Sequence, residues 1–164
     1  MHIRPAALLD GSFPLRRAER RDLDAIRALL AADSLAAPAG PDGSAEPYLR
    51  AFEAIASDPA HFLAVVEDPS GRIAGTLQLS LLPCLAAGAA LRLQVEAVHV
   101  RADLRSRGLG PAMMEWAVEQ GRHNGAGLVQ LTSNAQRKAA HRFYRRLGFE
   151  ASHLGFKRYL GIRN

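Results

Sequence analysis

Apolar residues recur along this chain at two periods, and the switches between them divide it into short elements. Phe13 to Arg17 alternates as a first short strand. Leu23, Ile26, Leu29 and Leu30, following Asp22, lie on one face of a helix, and Glu46 to Ser57 reads as a second helix. Two dense apolar runs, His61 to Glu67 and Arg72 to Leu81, predict strands joined by the turn sequence Asp68-Pro69-Ser70-Gly71. After a small-residue loop from Pro83 to Ala90 comes a long strand from Leu91 to Val100, then a helix opening at residues 109 to 111. A strand at Leu128 to Thr132 precedes a helix with Ala140, Phe143 and Leu147 on one stripe, capped by Ser133 or Asn134 and stopped by Gly148, with terminal strands beyond it. A strand pair ahead of a strand–helix–strand unit predicts a mixed sheet with helices on both faces.

The long strand breaks its own period. From Leu91 to Ala97 the apolar residues are odd-numbered, whereas Val98 and Val100 are even. An extra residue near Glu96 to Val98, a β-bulge, produces such a phase switch and leaves backbone groups without ladder partners. The competing explanation is that Ala97 is small enough for either face and no bulge exists. Downstream, Arg105-Ser106-Arg107-Gly108-Leu109-Gly110 runs straight into a helix with Pro111 in its first turn. The N–H groups of a helix N-terminus, together with two arginines, suit a pyrophosphate. A triphosphate-binding P-loop is excluded because Pro111-Ala112-Met113 follows Gly110 where Gly-Lys-Ser/Thr would have to stand. A dinucleotide fingerprint fails at Met113, which occupies the place of its third glycine.

Composition narrows the setting. At 164 residues the chain makes one domain, with residues 1 to 12 as an extension, and no internal repeat or linker divides 13 to 164. Residues 36 to 47 hold three prolines, two glycines and four alanines and read as a loop. No run is apolar enough for a membrane span, and the single Cys84 excludes an internal disulfide framework; a cytoplasmic protein is expected. The six histidines have no metal-ligand spacing, so no metal is expected. The net charge of +5 is spread over many clusters, with no zinc-finger spacing and no aromatic run of an RNA-binding type, which argues against nucleic acid as partner.

With the Arg-x-x-Gly-x-Gly turn at Arg105 to Gly110, the strand Val95-Glu96-Ala97-Val98-His99-Val100 before it and the Ala140-His141-Arg142-Phe143-Tyr144 and Leu147-Gly148-Phe149 ending, the chain resembles the GNAT superfamily of acyl-CoA-dependent N-acetyltransferases from about Phe13 onward. Its last third looks like the branch acting on aminoalkylphosphonates and small amines. The resemblance implies an α/β (α+β) fold with a mixed, mostly antiparallel central sheet, acetyl-CoA as cosubstrate and a small-molecule amine as acceptor. It admits a protein N-terminus or lysine as an alternative acceptor, a non-catalytic acyl-CoA sensor, and a homodimer.

The same resemblance places the cosubstrate on Val98, His99, Val100 and on Arg105, Ser106, Arg107, Gly108, Leu109, Gly110 and Pro111. Val98 and Val100 would offer their N–H groups, whereas His99 is expected on the other side of the strand. Glu96, a carboxylate inside an apolar strand, is the candidate base, with burial expected to raise its pKa; it would act directly or through water, or else serve as a structural partner of Arg92. Tyr144, one residue beyond the core position Phe143, is the candidate acid for the departing thiolate, or a packing tyrosine. Similar enzymes often carry an asparagine seven residues before this tyrosine, where Arg137 stands here. Arg137 and Asn134 are therefore candidates for a phosphate and the pantetheine arm, and His141 for the cleft border. Acceptor choice in similar enzymes comes from the first two helices, whose surroundings offer Asp33, Asp42, Glu46, Glu53 and Asp58 without a recognisable motif.

Overall fold

A computed structural model describes residues 1–4, 6–32, 44–158 and 160. Its centre is a six-stranded sheet in chain order, β1 (Ala6–Leu8), β2 (Phe13–Arg17), β3 (His61–Glu67), β4 (Ile73–Leu82), β5 (Arg92–Val100) and β6 (Leu128–Leu131). Every neighbouring pair is antiparallel except β5 with β6. Four of the helices are α1 (Leu23–Ala31), α2 (Glu46–Ser57), α4 (Leu109–His123) and α5 (Lys138–Arg146), and a single-turn α3 (Ala86–Ala89) interrupts the expected loop at 83 to 90.

Helices cover both faces, as expected. On one face Leu77, Leu79, Leu93 and Val95 meet Leu109, Met113, Met114, Trp116 and Ala117 of α4, with Phe143 and Tyr144 of α5 and Leu147 just after it packed at the border. On the other face Leu63 and Val65 meet Ile26 of α1, with Phe52 and Ile55 of α2 beside them. The dense apolar run of β3 is explained by its place between these two layers: Phe62 to Val66 are all buried.

The turn after β3 is built by one side chain. Asp68 Oδ1 accepts hydrogen bonds from Ser70 N–H at 2.8 Å, Ser70 Oγ at 2.6 Å and Arg72 N–H at 3.1 Å, while Gly71 adopts φ +79°. Arg101 then joins this turn to the end of β5: Nη2 donates to Asp68 Oδ2 at 2.7 Å, Nη1 to the Ile73 carbonyl at 2.9 Å and Nε to Asp103 Oδ1 at 2.7 Å.

Three expectations are corrected. Residues 1 to 12 are no loose extension, because β1 pairs with β2 and both His2 and Arg4 donate backbone N–H groups to side chains of α4 and its end, Asn124 at 2.7 Å and Gln120 at 3.0 Å. Terminal strands are absent among the described residues: after α5 the chain from 150 to 158 is exposed and adds no rung to β6. Finally, α5 starts at Lys138, not at Ser133 or Asn134. Asn134 instead closes its own turn, its Oδ1 accepting from Gln136 N–H at 2.9 Å. Most of the loop expected at 36 to 47 lies outside the described residues.

Candidate active site

The site forms where the central sheet comes apart. β5 and β6 pair only from Arg92 opposite Leu128 to Val95 opposite Leu131, after which β6 ends and β5 continues beside β4 alone. At the same level β5 is bulged: Gln78 faces Glu96 but Thr76 faces His99, so Ala97 and Val98 share one partner residue, and Ala97 takes φ +52°. The phase switch in the sequence is therefore a real insertion.

Amide direction on the open stretch follows from one hydrogen bond. Arg101 N–H donates to the Ala74 carbonyl on β4 at 2.8 Å. Alternation along a strand turns the N–H groups of Val100 and Val98 to the opposite edge, facing the notch left by β6. The Val100 carbonyl faces the same way and accepts from Arg105 Nε at 3.1 Å. Two amide donors on an unpaired edge suit an extended ligand containing amide groups.

The notch opens into a cleft lined by Val95, Glu96, Ala97, Val98 and His99 of β5, Leu131 to Asn134 after β6, and Arg137 and Tyr144 at α5. Glu96, Val98, His99, Asn134, Arg137 and Tyr144, singled out from sequence, thus meet in one place. Tyr144 is held edge-on between Phe143 and Phe149, at 5.1 and 6.0 Å between ring centroids.

The cradle stands beyond Val100. A 3-10 turn, Ala102–Leu104, buries Leu104 and delivers the chain to Arg105. Ser106 and Gly108 adopt φ +61° and +87°, and Gly108 caps the fifteen-residue α4, whose first ladder bond outside the cradle runs from Ala112 N–H to the Gly108 carbonyl at 3.1 Å. The N–H groups of the first turn thus have no carbonyl beneath them. Arg105, Ser106, Arg107 and Pro111 are exposed around this end. A diphosphate fits this set of donors and charges. Leu109 and Gly110 belong here through their backbone only: the Leu109 side chain is 1% exposed in the core, and a Cβ on Gly110 would meet the Phe143 ring at 3.5 Å.

Other expectations change. Glu96 is exposed rather than buried, because the sheet has lost its outer neighbour there. No basic group among the described residues pairs with it, Arg92 included. His99 does point away from the two valines, but the bulge makes that the face of Glu96, since their cross-strand partners Thr76 and Gln78 share one side of β4. The His141 imidazole is outside the cleft lining and its Nε2 lies 2.9 Å from the Asn134 carbonyl, bracing the loop beneath α5. Asp33 and Asp42 lie outside the described residues; of the remaining acidic candidates, Glu46 pairs with Arg50 at 3.1 Å and Glu53 with Arg20 at 3.9 Å, and Asp58 lies 3.6 Å from the His61 ring. Sequence reasoning missed the row of polar residues on the sheet face beside Glu96. Its signal was the polar alternation Thr76, Gln78, Ser80 and Arg92, Gln94, Glu96.

Residues 24–149 match the acetyltransferase (GNAT) family. The chain belongs to that family. Among curated relatives it is 36% identical over 67 residues to the aminoalkylphosphonate N-acetyltransferase of Salmonella typhimurium, a match covering 41% of this chain and 44% of that protein, so the chain spans less than half of that relative's length. It is 32% identical over 106 residues to an uncharacterized N-acetyltransferase, YhdJ of Bacillus subtilis, covering 63% of this chain and 72% of that one. A solved structure of a transcriptional regulator from Bacillus halodurans C-125 superposes with a TM-score of 0.82 at 32% identity, covering 90% of this chain and 99% of the other. Proteins of the GNAT family use acyl-CoA. Among the described residues no three His, Cys, Asp or Glu side chains group as a metal site, and no helix is long and apolar enough to cross a membrane.

Proposed function

We propose that this protein moves the acetyl group of acetyl-CoA to a primary amine of a small molecule. The observation that carries the reading is the placement of Glu96 and Tyr144 on one cleft, at the point where β5 presents an unpaired edge leading to the arginine-rich start of α4. Val98 and Val100 N–H groups would hold the pantetheine amides and polarise the thioester carbonyl; Arg105, Ser106, Arg107 and the backbone from Gly108 to Gly110 would hold the pyrophosphate. Arg137 and Asn134 border the same arm.

The chemistry is a direct transfer. Glu96, reached by water on its exposed side, takes a proton from the ammonium group, directly or through a water molecule. The neutral nitrogen forms the new N–C bond, the C–S bond breaks as the Tyr144 hydroxyl gives its proton to the thiolate, and the second proton released by the nitrogen restores that hydroxyl, leaving amide and free thiol. Positioning of two substrates in one cleft supplies the rest of the rate.

The test is thiol release by purified protein from acetyl-CoA with a panel of polyamines, aminoalkylphosphonates, aminoglycosides, amino acids and peptides. Turnover with a small amine supports the reading, and turnover with peptides alone transfers it to protein acetylation. A second reading, an acyl-CoA sensor without turnover, draws on the likeness to the Bacillus halodurans regulator. Micromolar CoA binding with no thiol release across the panel would establish it instead.

A further inference from the structure

The sheet face that carries Glu96 is polar where a sheet centre is ordinarily apolar. Cross-strand pairing puts Gln78 beside Glu96, Ser80 beside Gln94 and Leu82 beside Arg92, and on the other side Gln130 beside Gln94. The opposite face of the same strands holds Leu77, Leu79, Leu93 and Val95, fully buried against α4. The row is internally ordered: Gln130 Nε2 donates to Gln94 Oε1 at 2.8 Å, and Ser80 Oγ lies 2.7 Å from His61 Nδ1. It ends at a cation with unmet need. Arg92 is half-buried, and its Nε is shielded from solvent without a hydrogen-bond partner among the described residues.

We infer that this row is the floor of the acceptor site and that Arg92 binds an anionic group, so that the acceptor is a short amine carrying a carboxylate or a phosphonate. The inference rests on the acetyltransferase reading and names its substrate class. Placing a guanidinium and several amides along a sheet centre forgoes apolar burial, and a buried donor left unpaired costs stability unless a ligand satisfies it. Arg92 and Glu96 are four residues apart on an unbulged stretch, about 13 Å along the strand. Once the reach of the two side chains is taken off, that spacing fits an amine held at Glu96 and an anion held at Arg92 with only a few atoms between them. A guanidinium matches the planar fork of a carboxylate or the oxygens of a phosphonate. A polycationic acceptor would bring its second charge against Arg92 and be rejected.

Four acceptors with the same two-carbon spacing separate the possibilities: 2-aminoethylphosphonate, β-alanine, ethanolamine and 1,2-diaminoethane. The native protein is expected to show kcat/KM at least roughly tenfold higher for one of the two anionic acceptors than for the uncharged and dicationic ones, the scale of a charge-assisted pair. The ratio of the two anionic values tells phosphonate from carboxylate. In Arg92→Gln that preference should vanish through KM, whereas Arg92→Lys should keep part of it. Because the preference is a ratio within one variant, a general loss of folded protein leaves it unchanged. Equal rates for all four acceptors, or an undiminished preference in Arg92→Gln, would overturn the inference. Calorimetry of the CoA-saturated protein with 2-aminoethylphosphonate and β-alanine reads the same site without turnover. Binding there with no thiol release would keep the anion site and defeat only the enzymatic reading; binding of neither anion would defeat the anion site itself.

Discussion

In the proposed transfer Glu96 and Tyr144 divide the proton steps, and each has a side-chain replacement that isolates its part. Glu96→Gln keeps the size and the exposed position, and the structure gives the carboxylate no ion pair among the described residues to lose. It should lower kcat/KM by about 10²–10⁴-fold, the range a positioned base supplies, with CoA affinity by calorimetry nearly native. A rate within twofold of native across the pH profile would leave Glu96 without a catalytic part. Tyr144→Phe retains the ring that packs edge-on against Phe143 and Phe149. It should slow the chemical step while thermal stability holds; Tyr144→Ala should lose stability as well, because a large ring leaves a packed border. Native turnover in the phenylalanine variant would mean that solvent protonates the thiolate.

The bulged strand β5 is the element on which the cleft depends. Ala97 holds φ +52°, a left-handed conformation that costs a residue with a Cβ about 1–3 kcal/mol. It aims Glu96 and His99 to one face and turns Val98 and Val100 back into the apolar layer. Ala97→Gly should therefore leave the melting temperature unchanged or raise it, with CoA binding retained. Ala97→Val places a β-branched side chain in the same conformation and should reduce both. Paired melting curves and CoA titrations decide this, and a stable, CoA-binding valine variant would show that the bulge is dispensable. The same strand leads through Arg101 into the cradle, so the Asp68 turn between β3 and β4 indirectly braces the start of α4.

Across the whole molecule two carboxylate–guanidinium networks tie distant segments together. Arg16 binds Asp22 at 2.6 Å and Glu67 at 2.6 Å, and Arg101 binds Asp68 and Asp103, each at 2.7 Å. Burial works against ionisation of Asp22, and the Arg16 guanidinium outweighs it, so the carboxyl stays below its ordinary range. The Ser70 hydroxyl, followed by Arg101, holds Asp68 far below that range. Carboxylates depressed in the folded state stabilise it above their unfolded pKa, near 4, and that stability is lost as the pH falls toward the folded values. The melting temperature should thus drop between about pH 5 and pH 2. Asp68→Asn should melt below the native protein at pH 7, and the gap should close on acidification. Parallel curves down to pH 2 would remove Asp68 from the account.

Much of this was legible from residue order because the deciding forces are local. Residue order placed β2, α2 and β3 at their observed bounds: β2 alternates along its own backbone, and β3 is a dense apolar run closed by a turn sequence. The bulge was legible because an inserted residue shifts the phase of every side chain after it, and Arg105 to Gly110 announced a helix N-terminus through glycines and charge. What was misread needed partners remote in sequence. The exposure of Glu96 follows from where β6 stops, thirty-five residues later, and the anchoring of His2 and Arg4 from Asn124 and Gln120 on another element. The strand expected after α5 failed similarly: Leu154 and Phe156 alternate as a strand would, yet stand 85% and 92% exposed, because alternation supplies a pattern but not an edge to pair with. The sequence by itself thus determined most of the elements, the bulge and the helix entry at Arg105 to Gly110, through forces acting within a few residues. The tertiary structure alone decided that β5 and β6 part beside Glu96 and Tyr144 and that Arg92 closes a polar row, because those facts are set by the packing of segments far apart in the chain.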